Sequence, residues 1–221
     1  MLRAGILFVL LSAFAWSGYL AVCGKDFSRV TDVTNLLESA ESNDAGVILA
    51  AEERLVELGA SALPELHEAL EEEKSVRKRS IVATVLGKIG DPSSVGPLVR
   101  ALRGPSSVVG QRSAVSLGMI GTDEAVQGLT DALEDPEVSG FRTTVLIALG
   151  NTRDERALTT ILSYVDSPDS DLRWAAATAL KSFDEPIAIA ALKRLAKDAD
   201  ESVRSRAEDS LRDNQERAGR P

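Results

Sequence analysis

The side chains able to do chemistry are few. One histidine, His67, stands beside Glu68 in "ELHEAL", and the one cysteine, Cys23, lies near the N-terminus in "LAVCGKD". A histidine works as a general base only when a nucleophile is within reach and a third group orients its ring. The sequence supplies His67 with neither. Cys23 has no second cysteine to form a disulfide with, and it leaves no thiol nucleophile in the remainder of the chain. Gly87, Gly90, Gly118 and Gly121 recur at the ends of helical stretches instead of after strands, so phosphate-loop chemistry does not fit them. Carboxylates are abundant, yet context singles out no pair. The sequence therefore predicts no catalytic constellation, no metal site and no cofactor site.

What must position these residues is a repeat. Leu86, Leu117, Leu149, Leu180 and Leu211 are separated by 31, 32, 31 and 31 residues. Seven residues before each stands Arg79, Gly110, Arg142, Arg173 or Arg204. Partner segments repeat in step: "LPELHEAL", "VGPLVRAL", "VQGLTDAL", "LTTILSYV" and "IAALKRLA". Within them Leu63, Val95, Val126, Leu158 and Ile189 form one column, with an aliphatic residue three positions later in each. Spacings of three and four place such residues on one helical face. A helix pair this short cannot bury its own stripe, so a fixed period near 31 residues predicts an α-solenoid whose units bury one another. The column Val85, Ser116, Ala148, Ala179 and Ser210 stays small, which lets neighbouring helices approach closely. Asp91-Pro92, Asp135-Pro136 and Ser167-Pro168 interrupt helices, and Asp123, Asp154, Asp169 and Asp200 are placed to cap them.

The stretches "LGKIGDPSSVGPLVRAL" and "LRWAAATAL" resemble the HEAT-repeat families, most closely the short prokaryotic type, over roughly residues 45–214. Those families share a V-R-x-x-A-A-x-A-L-G-x-I-G-D-P pattern followed by P-L-x-x-A-L. The resemblance implies an all-α solenoid of about five helix pairs that holds other macromolecules. Similar repeats occur in HEAT-like lyases that attach bilin pigments to antenna proteins, which makes a bilin-lyase-like activity one alternative and a purely structural spacer another. HEAT-like hydroxylases bind two irons through several His-Glu pairs; His67-Glu68 alone does not supply them.

The solenoid is flanked by other segments. Residues 25–44 are expected to form a capping helix, Ala45 to Leu58 to open the first full pair, and residues 215–221 to form a disordered tail. Between Arg3 and Lys25 no charge occurs over 21 residues, behind a basic start. Residues 1–24 thus read as an export signal or a membrane anchor. Cleavage after Ala15, retention as an anchor and lipidation at Cys23 remain open, the last because "LAVC" is similar to a lipobox, with Val22 departing from it. Each fate places the solenoid outside the cytoplasm, in a periplasm or cell envelope. The net charge of −9 argues against wrapping a nucleic acid, which takes clustered basic residues.

The partners expected are proteins. On the partner helices Glu68 and Glu71, Arg100 and Arg103, Asp131 and Glu134, Ser163 and Asp166, and Arg194 and Lys197 occupy the same two columns, so charges nearly alternate in sign and predict ion pairs between repeats on the inner face of the solenoid. Trp174 takes a column held elsewhere by Ser80, Gln111, Thr143 and Ser205, and Tyr164 one held by Ala69, Ala101 and Ala132. Rings not required by the repeat mark a candidate hot spot, whereas Phe141 and Phe183 fall in aliphatic columns and are expected in the core. Protein binding is accordingly expected at Trp174, Tyr164, Arg100, Arg103, Arg194 and Lys197. The lipidation branch has a direct check: metabolic labelling with a fatty-acid analogue that disappears in Cys23→Ala selects it over the other two fates.

Overall fold

The computed structural model describes residues 33–218. Cys23, the leader and the first residues of the expected capping segment lie outside the described residues. Two compact units divide the chain, one ending at Glu57 and the other starting at Leu58.

In the first unit, α1 (Val33–Ser39) buries Val33, Leu36 and Leu37. α2 (Ala45–Leu58) buries Val47, Ala51 and Leu55, a three-four-spaced stripe. Asp44 opens α2 by accepting from the Gly46 amide at 2.8 Å.

The second unit is a stack of five helix pairs: α3 (Leu63–Glu72) with α4 (Val76–Ile89), α5 (Val95–Leu102) with α6 (Ser107–Ile120), α7 (Asp123–Ala132) with α8 (Arg142–Thr152), α9 (Glu155–Ser163) with α10 (Ser170–Leu180), and α11 (Pro186–Leu195) with α12 (Glu201–Ala218). The even-numbered, longer helices form one layer and the odd-numbered, shorter ones the other. Among the described residues all regular structure is helical, and no helix is long and apolar enough to cross a membrane.

The layers are not equivalent. Long helices pack against one another along much of their length, whereas short ones touch sparsely. The small column explains why. A Cβ on Gly87 would lie 2.7 Å from the Ser116 Cα, one on Gly118 2.6 Å from the Ala148 carbonyl oxygen, and one on Gly150 2.6 Å from the Ala179 Cα. Two buried serines then bond across the seam: Ser116 donates to the Ala83 carbonyl at 2.7 Å and Ser210 to that of Ala177 at 2.9 Å. The expected charge ladder lies on the short helices, the more sparsely packed layer.

Termini follow local chemistry. Gly90 and Gly121 end α4 and α6 at φ of 75° and 64°, a region open to glycine. Asp154, Asp169 and Asp200 accept amide hydrogens at the starts of α9, α10 and α12. Asp123 does not cap α7. Thr122 does so through the Ala125 amide at 3.3 Å, which leaves Asp123 free to pair with Arg156 of the next repeat at 2.6 Å. Asp91-Pro92 and Asp135-Pro136 open short 3-10 turns, Pro92–Ser94 and Pro136–Phe141.

The basic column acquires a function from the same geometry. Arg79 donates to the Leu70 carbonyl at 2.8 Å, Arg173 to that of Ser167 at 2.9 Å and Arg204 to that of Asp198 at 2.7 Å. Each of these three arginines thereby satisfies orphan carbonyls in the last turn of the preceding short helix or just past it. At Gly110 the ring of Phe141, buried as expected, fills that space.

Residues 215–218 of the expected tail are helical, and residues 219–221 lie outside the described residues. α12 continues to Ala218. Asn214, buried, donates to the Phe183 carbonyl at 3.2 Å, and Arg217 donates to Asp184 at 3.0 Å. These polar anchors hold a segment that has no apolar stripe, and a pattern search for apolar periodicity does not register them.

Gly118→Ala should lower stability by about 1–3 kcal/mol, the usual cost of overpacking, because backbone and not a flexible side chain stands opposite. Chemical denaturation monitored by circular dichroism measures it.

Candidate functional site

Two faces carry the candidate residues. On the short-helix layer, Glu71 of α3 accepts from Arg100 of α5, with the Arg100 Nε at 3.0 Å, and Asp166 past α9 pairs with Arg194 of α11 at 2.7 Å. Between them the ladder changes rungs. Arg103 turns to Asp135 at 3.7 Å, outside the predicted columns, while Asp131 accepts from Gln127 and Glu134 faces the Tyr164 hydroxyl at 3.5 Å. The 3-10 turn after α7 presents Asp135 where a regular helix end would not. Exposed pairs of this kind are worth about 0.2–1 kcal/mol each. Lys197 makes no ion pair among the described residues. It lines an open cleft of about 370 Å³ with Asp166, Arg173, Arg194 and Asp198.

Tyr164 is half-buried. Burial, and after it the charge of Glu134, raises its hydroxyl above the usual tyrosine value. Arg142 lies close enough to act in the opposite direction, and its Nε is buried without a partner among the described residues. The carboxylate that holds Arg173 at 2.8 Å, Asp198, has Ser167 as its counterpart one repeat earlier, so Arg142 has no acid at that place.

On the long-helix layer Trp174 is half-buried, and the Arg206 guanidinium of α12 stacks over its ring at 4.8 Å from the centroid. Such a contact is worth about 0.5–1 kcal/mol at an exposed site. The ring therefore covers the seam between α10 and α12 on one side and meets solvent on the other.

The sequence reading missed a neighbouring feature. Val108, Val115 and Met119, one face of α6, are 51%, 38% and 53% exposed. The half-buried Ile147 of α8 continues the strip by register. The test applied to Trp174 finds these residues too: Val115 and Ile147 share a column with Thr84, Thr178 and Asp209, and Met119 stands with Lys88, Asn151, Ser182 and Asp213. Aliphatic residues look unremarkable in an apolar repeat until their column is known to face water.

His67 is structural. Its Nε2 lies 3.0 Å from the Oγ of the buried Ser94, tying α3 to the turn before α5, and burial pushes its pKa down. Among the described residues no group of three or more His, Cys, Asp or Glu side chains is placed to hold a metal ion.

Two overlapping stretches, residues 63–150 and 139–212, match the family model for HEAT repeats. The chain belongs to the HEAT-repeat family. No curated protein matches it. This HEAT-repeat chain is similar in structure to the complex of CpcE and CpcF of phycocyanin lyase from Nostoc sp. PCC7120, with a TM-score of 0.53 and 25% identity over 81% of this chain and 76% of that one. It is also similar to human deoxyhypusine hydroxylase in complex with glycerol, with a TM-score of 0.48 and 20% identity over 83% of this chain and 84% of that one.

Acid should weaken the α9 cap. Hydrogen bonds from Arg156 hold Asp154 down at about 2, below the ordinary value of 3.8. A depressed carboxylate stabilises the fold above its unfolded pKa and loses that contribution as pH falls through the folded one. Asp154→Asn, which keeps a capping oxygen, should cost no more than about 1 kcal/mol at neutral pH. The difference from wild type should vanish towards pH 2, as read by denaturation at both ends of that range.

Proposed function

We propose that the chain is an exported, membrane-associated scaffold that binds protein partners on its long-helix layer and performs no reaction itself. One observation carries the binding reading: Val108, Val115 and Met119 stand exposed on one face of α6, in columns where most other repeats place polar residues. Contiguous exposed apolar side chains are characteristic of interaction surfaces. By register Ile147 and Trp174 extend the strip over α8 and α10. Arg206 holds the Trp174 ring in place, which lowers the entropic cost of using it as an anchor.

On the other layer Arg100, Arg103 and Arg194 are already engaged with acids of this chain. A partner there would meet Lys197 and Tyr164 first. The membrane part of the reading rests on the uncharged stretch from Ala4 to Gly24 and on Cys23 as the lipidation position.

The likeness to the CpcE–CpcF complex of phycocyanin lyase supports a second reading, a lyase-like HEAT protein. Incubation with free bilin and an apo-antenna protein separates the two, because only the lyase reading yields a covalent coloured adduct.

Met119→Asp should weaken partner capture by about tenfold or more, given the ~1.5–3 kcal/mol gained on burying such a side chain, with the thermal midpoint nearly unmoved. Trp174→Ala should weaken capture as well. If instead the midpoint falls by several degrees and capture survives, the ring serves packing alone. Fractionation should recover the full-length chain with membranes or outside the cytoplasm, and recovery in the cytosol overturns the export reading.

A further inference from the structure

A groove of about 830 Å³ runs between α5 and α7 on the short-helix layer, the opposite layer from the α6 strip. Its floor is made by Val95, Gly96 and Val99 of α5 and Gly128 of α7, and Glu124 and Asp131 stand at its α7 edge. The two glycines differ in kind. A Cβ on Gly128 would lie 2.5 Å from the Val99 Cγ2, so Gly128 lets the helices close at that point. A Cβ on Gly96 would meet nothing nearer than the Arg100 Nη1 at 3.6 Å. No packing contact calls for glycine there. The following Pro97 disfavours a helical residue with a Cβ, yet Leu63 before Pro64 is helical in the same stack, at φ −59° and ψ −43°. The missing side chain at Gly96 is what keeps the groove open.

The edge fixes the sign of an occupant. Arg100 also lines the groove, but its charge is matched by Glu71. The carboxylates of Glu124 and Asp131 make no ion pair among the described residues, although Asp131 accepts from the Gln127 amide at 2.7 Å. An apolar floor below two carboxylates fits an aliphatic side chain with cations on either side.

We propose that this groove is a docking site for a protein segment that presents a leucine-like side chain flanked by lysine or arginine. The aliphatic group seats over Gly96 and against Val99, and the flanking cations pair with Glu124 and Asp131. The site is separate from the strip on α6, so each can fail without the other.

The test titrates the full chain against fluorescein-labelled peptides and reads anisotropy. The probes are Lys-Lys-Leu-Leu-Lys-Lys and two controls, with serine for leucine or glutamate for lysine. The leucine–lysine peptide should bind at least about tenfold more tightly than either control, because burying one leucine gains ~1.5–3 kcal/mol and exposed like charges repel. Gly96→Leu should abolish that preference while the thermal midpoint holds or rises. The Glu124→Lys/Asp131→Lys variant, whose changes are both at exposed positions, should weaken the leucine–lysine peptide and leave the glutamate control as tight or tighter. Met119→Asp should leave all three affinities unchanged. Equal binding of the serine control, an undiminished preference in Gly96→Leu, or no binding of the leucine–lysine peptide overturns the proposal.

Discussion

The backbone of three successive long helices lies directly against the next helix at a small residue: Gly87 on Ser116, Gly118 on the backbone of Ala148 and Gly150 on Ala179. These contacts leave no room for a methyl group, and they set the distance between repeats. Everything else adapts to that distance. It buries the serine hydroxyls of Ser116 and Ser210, which must then donate to carbonyls of the preceding helix or stand unsatisfied. It brings Arg79, Arg173 and Arg204 within reach of carbonyls at the ends of the short helices before them. Where the glycine column ends, at Lys181, the seam to α12 changes character. Asn214 and Arg217 supply polar anchors there, and Arg206 reaches over Trp174.

Much of this was legible in the residues. The period, the two helices per unit and the small column are statements about spacing, and spacing is what a repeat sequence encodes most redundantly. Phe141 and Phe183 read as core because their columns were aliphatic, and both are buried. The departures arose where an interaction is polar or crosses between layers. The terminal segment looked featureless because Asn214 and Arg217 hold it by hydrogen bonds, which leave no hydropathy period. Asp123 looked like a cap because residue type alone does not separate the capping position from the one after it, and Thr122 occupies the former.

The candidate surfaces were half-legible for a related reason. Column comparison drew attention to Trp174 and Tyr164, since a ring among serines or alanines is conspicuous. Applied to aliphatic residues it finds Val115 and Met119 as well, but only once the exposed columns are known. The ion-pair ladder formed at Glu71–Arg100 and Asp166–Arg194, where helix ends are regular. It shifted to Asp135 where a 3-10 turn re-aimed the chain.

The asymmetry between layers bears on how the stack can deform. Long helices, locked together where backbone meets backbone or a small side chain, behave as a spine whose spacing is fixed by hard repulsion. Short helices meet at fewer points, Gly128 against Val99 among them, and are otherwise bridged by flexible charged side chains such as Arg100 and Arg194, which follow a displacement of an ångström or more by changing rotamer. Bending about the spine therefore resembles the opening of a hand fan: the pivots stay put while the gaps between ribs widen or narrow. The gap between α5 and α7 is one of these intervals. Gly128 against Val99 fixes it at one point, and the stretch beside Gly96 is the part left to widen.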